Sequence, residues 1–240
     1  MDGMPLALVT GAAHRLGKAF ALTLARRGYA ILLHYHHFAD EAARTADEIG
    51  VLGVPAYLAQ ADLKEDTALF SLLSILDSLP HHLEVLVNSA SVMQKTDIRD
   101  TSPADWDATF ALNLRAPFLL AQQAAGRMVE GGLIVNITDM GAHKLWLGYP
   151  AYTVSKSALE TLTRLLAKAY APNIRVNAIA LGLVLPSDNV TPEEWEELVE
   201  RLPLKHPASL DEVSGTLTFL LDNPSITGQT VVVDGGFSLI

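Results

Sequence analysis

The sequence predicts an α/β fold: a doubly wound, parallel, seven-stranded sheet with helices on both faces, in a single domain spanning residues 1–240. Three observations predict it. Short β-branched and aliphatic runs alternate with longer amphipathic segments from one end to the other, as a series of βαβ units requires. With 50% hydrophobic and 18% charged residues, the chain can bury a substantial core. No internal repeat, low-complexity tract or Pro/Ser-rich linker marks a boundary.

The strands read in order as Leu6–Thr10, Ala30–Tyr35, Ala56–Gln60, Val85–Ser89, Leu133–Ile137, Arg175–Ala180 and Thr230–Val233. Between them, Leu16–Arg27, Glu41–Leu52, Thr67–Leu79, Ala104–Val129, Tyr152–Ala171 and Leu210–Leu221 carry apolar residues at the three-to-four spacing of a helix. One stretch departs from the pattern. In Leu185–Pro203, the residues Pro186, Ser187, Asp188, Asn189 and Pro192 interrupt regularity before a short acidic helix around Glu193–Arg201. An insertion after a late strand lies where strand carboxyl ends meet ligand in open α/β sheets, so residues 185–203 read as a substrate lid. A plain surface excursion is the alternative.

Composition excludes several function classes. The net charge of −10 and the lack of a Lys/Arg cluster disfavour nucleic acid as a partner. With no cysteine, disulfides, thiolate nucleophiles and cysteine-bound metal are ruled out, and a reducing cytoplasm fits. The stretch MDGMPLALVTGAA is acidic where an export signal is basic, and no apolar run approaches the roughly 18 residues of a membrane span. The expectation is a soluble cytoplasmic protein acting on a small molecule.

The first strand runs into Thr10-Gly11-Ala12-Ala13-His14-Arg15-Leu16-Gly17 and then a helix. Glycines at a strand-to-helix turn let the backbone approach a pyrophosphate at a helix amino terminus, the Rossmann-type arrangement, although glycines also simply make turns. Gly11, Arg15, Leu16 and Gly17 are therefore candidate cofactor-binding residues. A fold of this kind selects NAD with an acidic residue at the end of its second strand, but here that strand ends in His34-Tyr35-His36-His37, with no carboxylate before Asp40. Arg15 can supply a planar cation and the histidines further donors for a ribose phosphate, so NADP is favoured over NAD. A solvated strand end is the plainer reading of the histidines, and a metal site is disfavoured because no partner ligand is near. Asp62, in Ala61-Asp62-Leu63 after the third strand, is placed to accept from an adenine amino group or to cap a helix.

Tyr152 and Lys156 stand at i and i+4 of one helix, which puts phenol and ammonium on one face. A phenol near pKa 10 needs a neighbouring cation to exchange protons near neutrality, and Lys156 can provide it. Alone, such a pair is common on surface helices. Here it is joined in order by TGAAHRLG, LHYHH, QADL, LVNSAS, NLRAPF, NITD, IRVNAIALG and ITGQTVVVDGG, and the chain resembles the short-chain dehydrogenase/reductases, most closely the pteridine reductases.

The resemblance covers essentially the whole chain and implies roles. Asn88, Ser89 and Ala90 would line the cofactor together with Ala61, Leu63, Gly182 and Val184, and Lys156 would also hold the nicotinamide ribose. Asn113 would help hold a proton-relay water beside Lys156. Asp139 stands where most of the wider family carries serine and pteridine reductases carry aspartate, which assists protonation of a ring nitrogen. A carboxyl group beside a tyrosine suits that task, whereas a hydroxyl suits a carbonyl oxygen; capping a loop is the alternative for Asp139. Ser91, Met93, Asp139, Tyr152 and Trp195 would face substrate. Met93 replaces an aromatic ring that stacks on the pterin, His37 replaces an arginine beside the ribose phosphate, and Leu181 replaces a proline before Gly182.

The implied activity is NADPH-dependent reduction of a dihydropterin-like C=N bond by a homotetramer or homodimer assembled through the Ala104–Val129 helix and VVVDGGFSLI. Two rivals stand beside it: a ketone or 3-oxoacyl-thioester reductase of the same fold, and an NADP-binding sensor without turnover.

Overall fold

The computed structural model describes residues 3–187 and 190–240. Seven strands form one sheet, all parallel, in the order β3-β2-β1-β4-β5-β6-β7. They are β1 (Pro5–Val9), β2 (Ala30–Tyr35), β3 (Ala56–Gln60), β4 (His82–Asn88), β5 (Met128–Asp139), β6 (Ile174–Leu181) and β7 (Thr230–Val233). The direction of winding reverses between β1 and β4, so their carboxyl ends leave the crevice in which such sheets bind ligand.

Alternate strand residues feed two separate cores, as the two-residue period of a strand dictates. Ala7, Val9, Leu33, Val87 and Val135 pack with α1 (Arg15–Arg26) and α9 (Leu210–Asp222) through Phe20, Leu24, Val213 and Leu217. Leu6, Leu8, Leu32, Leu86 and Ile134 pack on the other face with α3 (Asp66–Ser78), α5 (Ala116–Ala125) and α7 (Pro150–Tyr170) through Leu69, Leu73, Leu120 and Leu166. Each fully buried leucine contributes about 1.5–3 kcal/mol of transfer free energy. The helix α2 (Ala39–Val51) completes the first face.

The expected helix Ala104–Val129 is not one helix. It divides into α4 (Pro103–Phe110), a π-helical turn over Ala111–Arg115 and α5, while Met128 and Val129 already belong to β5. Ser102 caps α4 by accepting from the Asp105 N–H. A four-residue helix, α6 (Gly141–Lys144), follows β5 and was not foreseen. It is too short to show a period.

Within the expected lid, α8 (Pro192–Arg201) starts at a capping box: the Thr191 hydroxyl accepts from Glu194 N–H, and the Glu194 carboxylate accepts from Thr191 N–H. None of its residues is buried, whereas Leu202 just beyond it is fully buried against Met140, Ala180 and Phe237. Asp188 and Asn189 of the expected lid lie outside the described residues.

Candidate active site

At the end of β1 the chain must turn sharply into α1. Gly11 takes a left-handed conformation (φ +66°), and a Cβ on Gly17 would lie 2.1 Å from the Gly11 carbonyl oxygen. Only glycine lets the first turn of α1 approach the strand end this closely. That first turn carries no acidic side chain, and His14, at its cap, makes no capping bond, so its N–H groups stay available to an anion. The Thr10 hydroxyl accepts from the N–H groups of Ser89 and Ala90, tying the turn to the end of β4.

The turn opens onto a cleft of about 560 Å³. Gly11, Arg15, Leu16 and Gly17 line one side of it, Tyr35, His36, Asp62 and Leu63 another, and Ser89, Ala90 and Ser91 a third. The volume and the glycine cradle suit an elongated phosphate-bearing cofactor.

His34 also borders the cleft, but it is not the cationic donor expected at this strand end. Its Nδ1 accepts from the Gly11 N–H (3.2 Å) and its Nε2 donates to the Ala61 carbonyl (3.0 Å). Burial pushes its pKa down to about 4, against the opposing pull of the Ala61 bond. A neutral His34 therefore splints the glycine turn to β3, and His36 and His37, whose rings lie 3.8 Å apart, line the cleft beyond it. Arg15, itself at φ +52°, turns its guanidinium to the Leu185 and Pro186 carbonyls at 3.4 and 3.0 Å. Asp62 caps no helix: its carboxylate accepts from Lys64 N–H and lies 3.6 Å from the Lys64 ammonium and 3.8 Å from His36. Burial works against its ionisation, but these partners outweigh it and hold the carboxyl below its usual range.

The second centre lies at the carboxyl end of β5. Asp139 is held from two sides, accepting from Gly141 N–H at Oδ1 (2.6 Å) and from the Tyr152 hydroxyl at Oδ2 (2.9 Å). Its capping contact and its contact to the phenol thus coexist. Burial raises its pKa to about 6, opposed by these two hydrogen bonds and by the charge of Lys156. Lys156 donates to the Ile137 carbonyl (2.8 Å), sits 5.6 Å from the centre of the Tyr152 ring, and is pushed down to about 8 by burial.

Lys156 does not bring the Tyr152 phenol toward neutrality. Burial first, then the charge of Asp139 and the hydrogen bond to it, raise that phenol well above 10. The group that titrates near neutrality is the carboxyl, not the phenol.

The model of the enoyl-(acyl carrier protein) reductase family matches residues 11–238, nearly the whole chain and both centres. This chain is a short-chain dehydrogenase/reductase. A 1-cyclohexenylcarbonyl-CoA reductase from Streptomyces collinus is 34% identical over 250 residues, which span 100% of this chain and 89% of the relative. Crystal structures of FolM alternative dihydrofolate reductase 1 with NADP, from Brucella suis and Brucella canis, are 40% and 39% identical. They cover 98% of this chain and 95% and 94% of their own, with a TM-score of 0.93 for each.

Other residues singled out in this reductase are held mainly by neighbouring protein groups. The Asn113 side chain is fully occupied: its carbonyl accepts from Ser91 hydroxyl and Val92 N–H, and its amide donates to Val92 carbonyl and Ser155 hydroxyl. It ties the β4–α4 loop to α7 and makes no hydrogen bond to Lys156. It belongs to the π-turn, which replaces the usual i→i−4 hydrogen bonds, a distortion frequent at functional sites. Asn88 is buried against Asn136 rather than along the cleft, and Ala61 is likewise covered. Gly182 fits because a Cβ would lie 2.7 Å from Asp234, and Val184 is buried in the core; neither lines the cleft. Met93 and Trp195 are half-buried; like Asp139, Tyr152 and Lys156, they lie outside the cleft at the glycine turn.

Thr10, Gly141 and Ser155 were not singled out for the roles they fill. A threonine directly before the glycine turn was the one available signal, because a hydroxyl there can reach the neighbouring strand end.

Proposed function

We propose that this reductase uses NADPH to reduce a C=N bond in a dihydropterin-like ring. The observation that carries the reading is the Asp139–Tyr152 hydrogen bond of 2.9 Å, made by a carboxyl that burial holds at about 6. A carboxyl poised in this range is a proton store for a nitrogen base. The likeness to the Brucella dihydrofolate reductases points the same way.

NADPH, the group that Gly11, Gly17, His36, Asp62 and Ser89 would hold, supplies the hydride when bound. Tyr152 gives its hydroxyl proton to the ring nitrogen as protonated Asp139 gives its own to the phenol oxygen. The phenol ends neutral and the carboxyl ends ionised. Lys156, fixed by Ile137, holds positive charge beside the newly ionised carboxylate, which steadies it. Asn113 keeps the Ser91 loop in place against α7.

Carbonyl reduction is the second reading, favoured by the likeness to a 3-oxoacyl-(acyl-carrier-protein) reductase from Synechocystis sp., 32% identical over 237 residues. The test is NADPH oxidation by purified protein with dihydrobiopterin, dihydrofolate and a 3-oxoacyl thioester side by side. Turnover of the pterins supports the proposal; turnover of the thioester alone sinks it. As to assembly, we infer self-association across the apolar groove that α7 forms with α4, the π-turn and the start of α5, where Phe118 and Leu165 are exposed.

A further inference from the structure

Three successive turns of α7 each grip one of three successive residues at the end of β5. Tyr152 reaches Asp139, Lys156 reaches Ile137, and Glu160 reaches Thr138. The side chains stand at i, i+4 and i+8, one stripe of the helix. Glu160 belongs to this stripe but has no part in the chemistry described above. Its carboxylate is 14% exposed and accepts at one oxygen from the Thr138 hydroxyl (3.2 Å) and the His143 ring (3.0 Å). His143 sits on α6, whose first N–H is the one that holds Asp139 Oδ1. Nearby, Ser157 of α7 donates to the Ala142 carbonyl of α6.

We infer that Glu160 is a positioning residue for the proton donor, clamping the β5 end and α6 to α7 so that Asp139 stays on the Tyr152 hydroxyl. The inference rests on the reading of Asp139 as that donor. Thr138 and Asp139 point to opposite faces of the strand, so fixing Thr138 from α7 fixes where Asp139 emerges. Fixing His143 gives the short α6 a second anchor on α7 beside the Ser157–Ala142 bond. The clamp works by acceptor geometry rather than by charge, because the ionisation of Asp139 is set by burial first and then by Gly141, Tyr152 and Lys156.

The prediction follows from that distinction. Glu160→Gln keeps a carbonyl acceptor for Thr138 and His143, so its kcat stays within about twofold of wild type. Glu160→Leu loses the acceptor, and kcat on the pterin falls by about tenfold or more with KM unchanged, the signature of an interaction that matters in the transition state. Loosening the Gly141 N–H contact in Glu160→Leu also moves the Asp139 limb of the pH–rate profile upward. Thr138→Val, which preserves the core shape, shows the same direction more weakly and serves if Glu160→Leu does not fold. A folded Glu160→Leu or Thr138→Val with unchanged kcat and unchanged pH limb overturns the inference, as does a Gln variant as impaired as Leu. Asp139→Ser measured in parallel separates the two layers. If it leaves pterin turnover intact, the donor reading itself fails and the positioning role with it. If it abolishes turnover while Glu160→Leu is silent, only the positioning role fails.

Discussion

At Asp139, a carboxyl whose ordinary pKa is 3.8 is held at about 6, first by burial. Its charged form is therefore disfavoured in the folded protein. The stabilisation that the neutral form provides is complete below about pH 4 and is lost as pH rises through 6, a difference of roughly 3 kcal/mol at most. Asp139→Asn should accordingly raise the melting temperature at pH 7.5 and leave it unchanged near pH 4, as read by calorimetry; equal effects at both would remove burial of charge as the cause. The same titration governs turnover. If the carboxyl supplies the proton, kcat/KM for the nitrogen substrate falls about tenfold per pH unit above 6, whereas a profile flat through 6 would remove the carboxyl as donor. His34 carries the opposite sign. Its pKa, lowered to about 4, makes its contribution present above 6.5 and progressively lost as pH falls from 6.5 through 4. Tyr152 and Lys156 were legible from their spacing together with the ordered motifs around them, but the direction of the Tyr152 shift was not, because it depends on burial and on a carboxylate thirteen residues away in sequence.

Among the elements, the β1–α1 turn leaves the backbone little freedom. A methyl group on Gly17 meets the Gly11 carbonyl oxygen, and backbone cannot yield as a side-chain end can. Gly17→Ala should weaken NADPH binding by about tenfold or more in a fluorescence titration and lower stability by about 1–3 kcal/mol; wild-type affinity would show that the close approach is not needed. The turn was legible because glycines in a strand-to-helix context have a backbone reason to be there. His34 was not, since LHYHH reads as a run of solvated imidazoles until the strand register is known. His34 follows Leu33 on a buried strand and faces Gly11 and Ala61, while His36 and His37 lie past the strand end. The division of Ala104–Val129 escaped for a related reason. Leu112, Leu120 and Ala124 keep a helical spacing, and nothing in composition distinguishes a π-turn from regular helix or marks the start of β5 at Met128.

In the molecule as a whole, parallel strands covered on both faces must be apolar along their length, which is why runs such as Ala30-Ile31-Leu32-Leu33 announced the sheet. The βαβ pattern implied a doubly wound sheet, whereas the strand order that sets the glycine turn beside the end of β4 emerges only in the folded chain. Residues gathered by tertiary packing, such as Gly182 against Asp234, carried no local mark of that packing. Self-association across the groove beside α7 predicts that Leu165→Glu lowers the mass measured by light scattering, whereas an unchanged mass would move the interface elsewhere. The most direct measurement of the central claim is the ratio of pterin to thioester reduction, by NADPH oxidation, in wild type and in Asp139→Ser. The account predicts that serine abolishes pterin turnover while carbonyl reduction persists or improves. Pterin turnover undiminished in Asp139→Ser would contradict it.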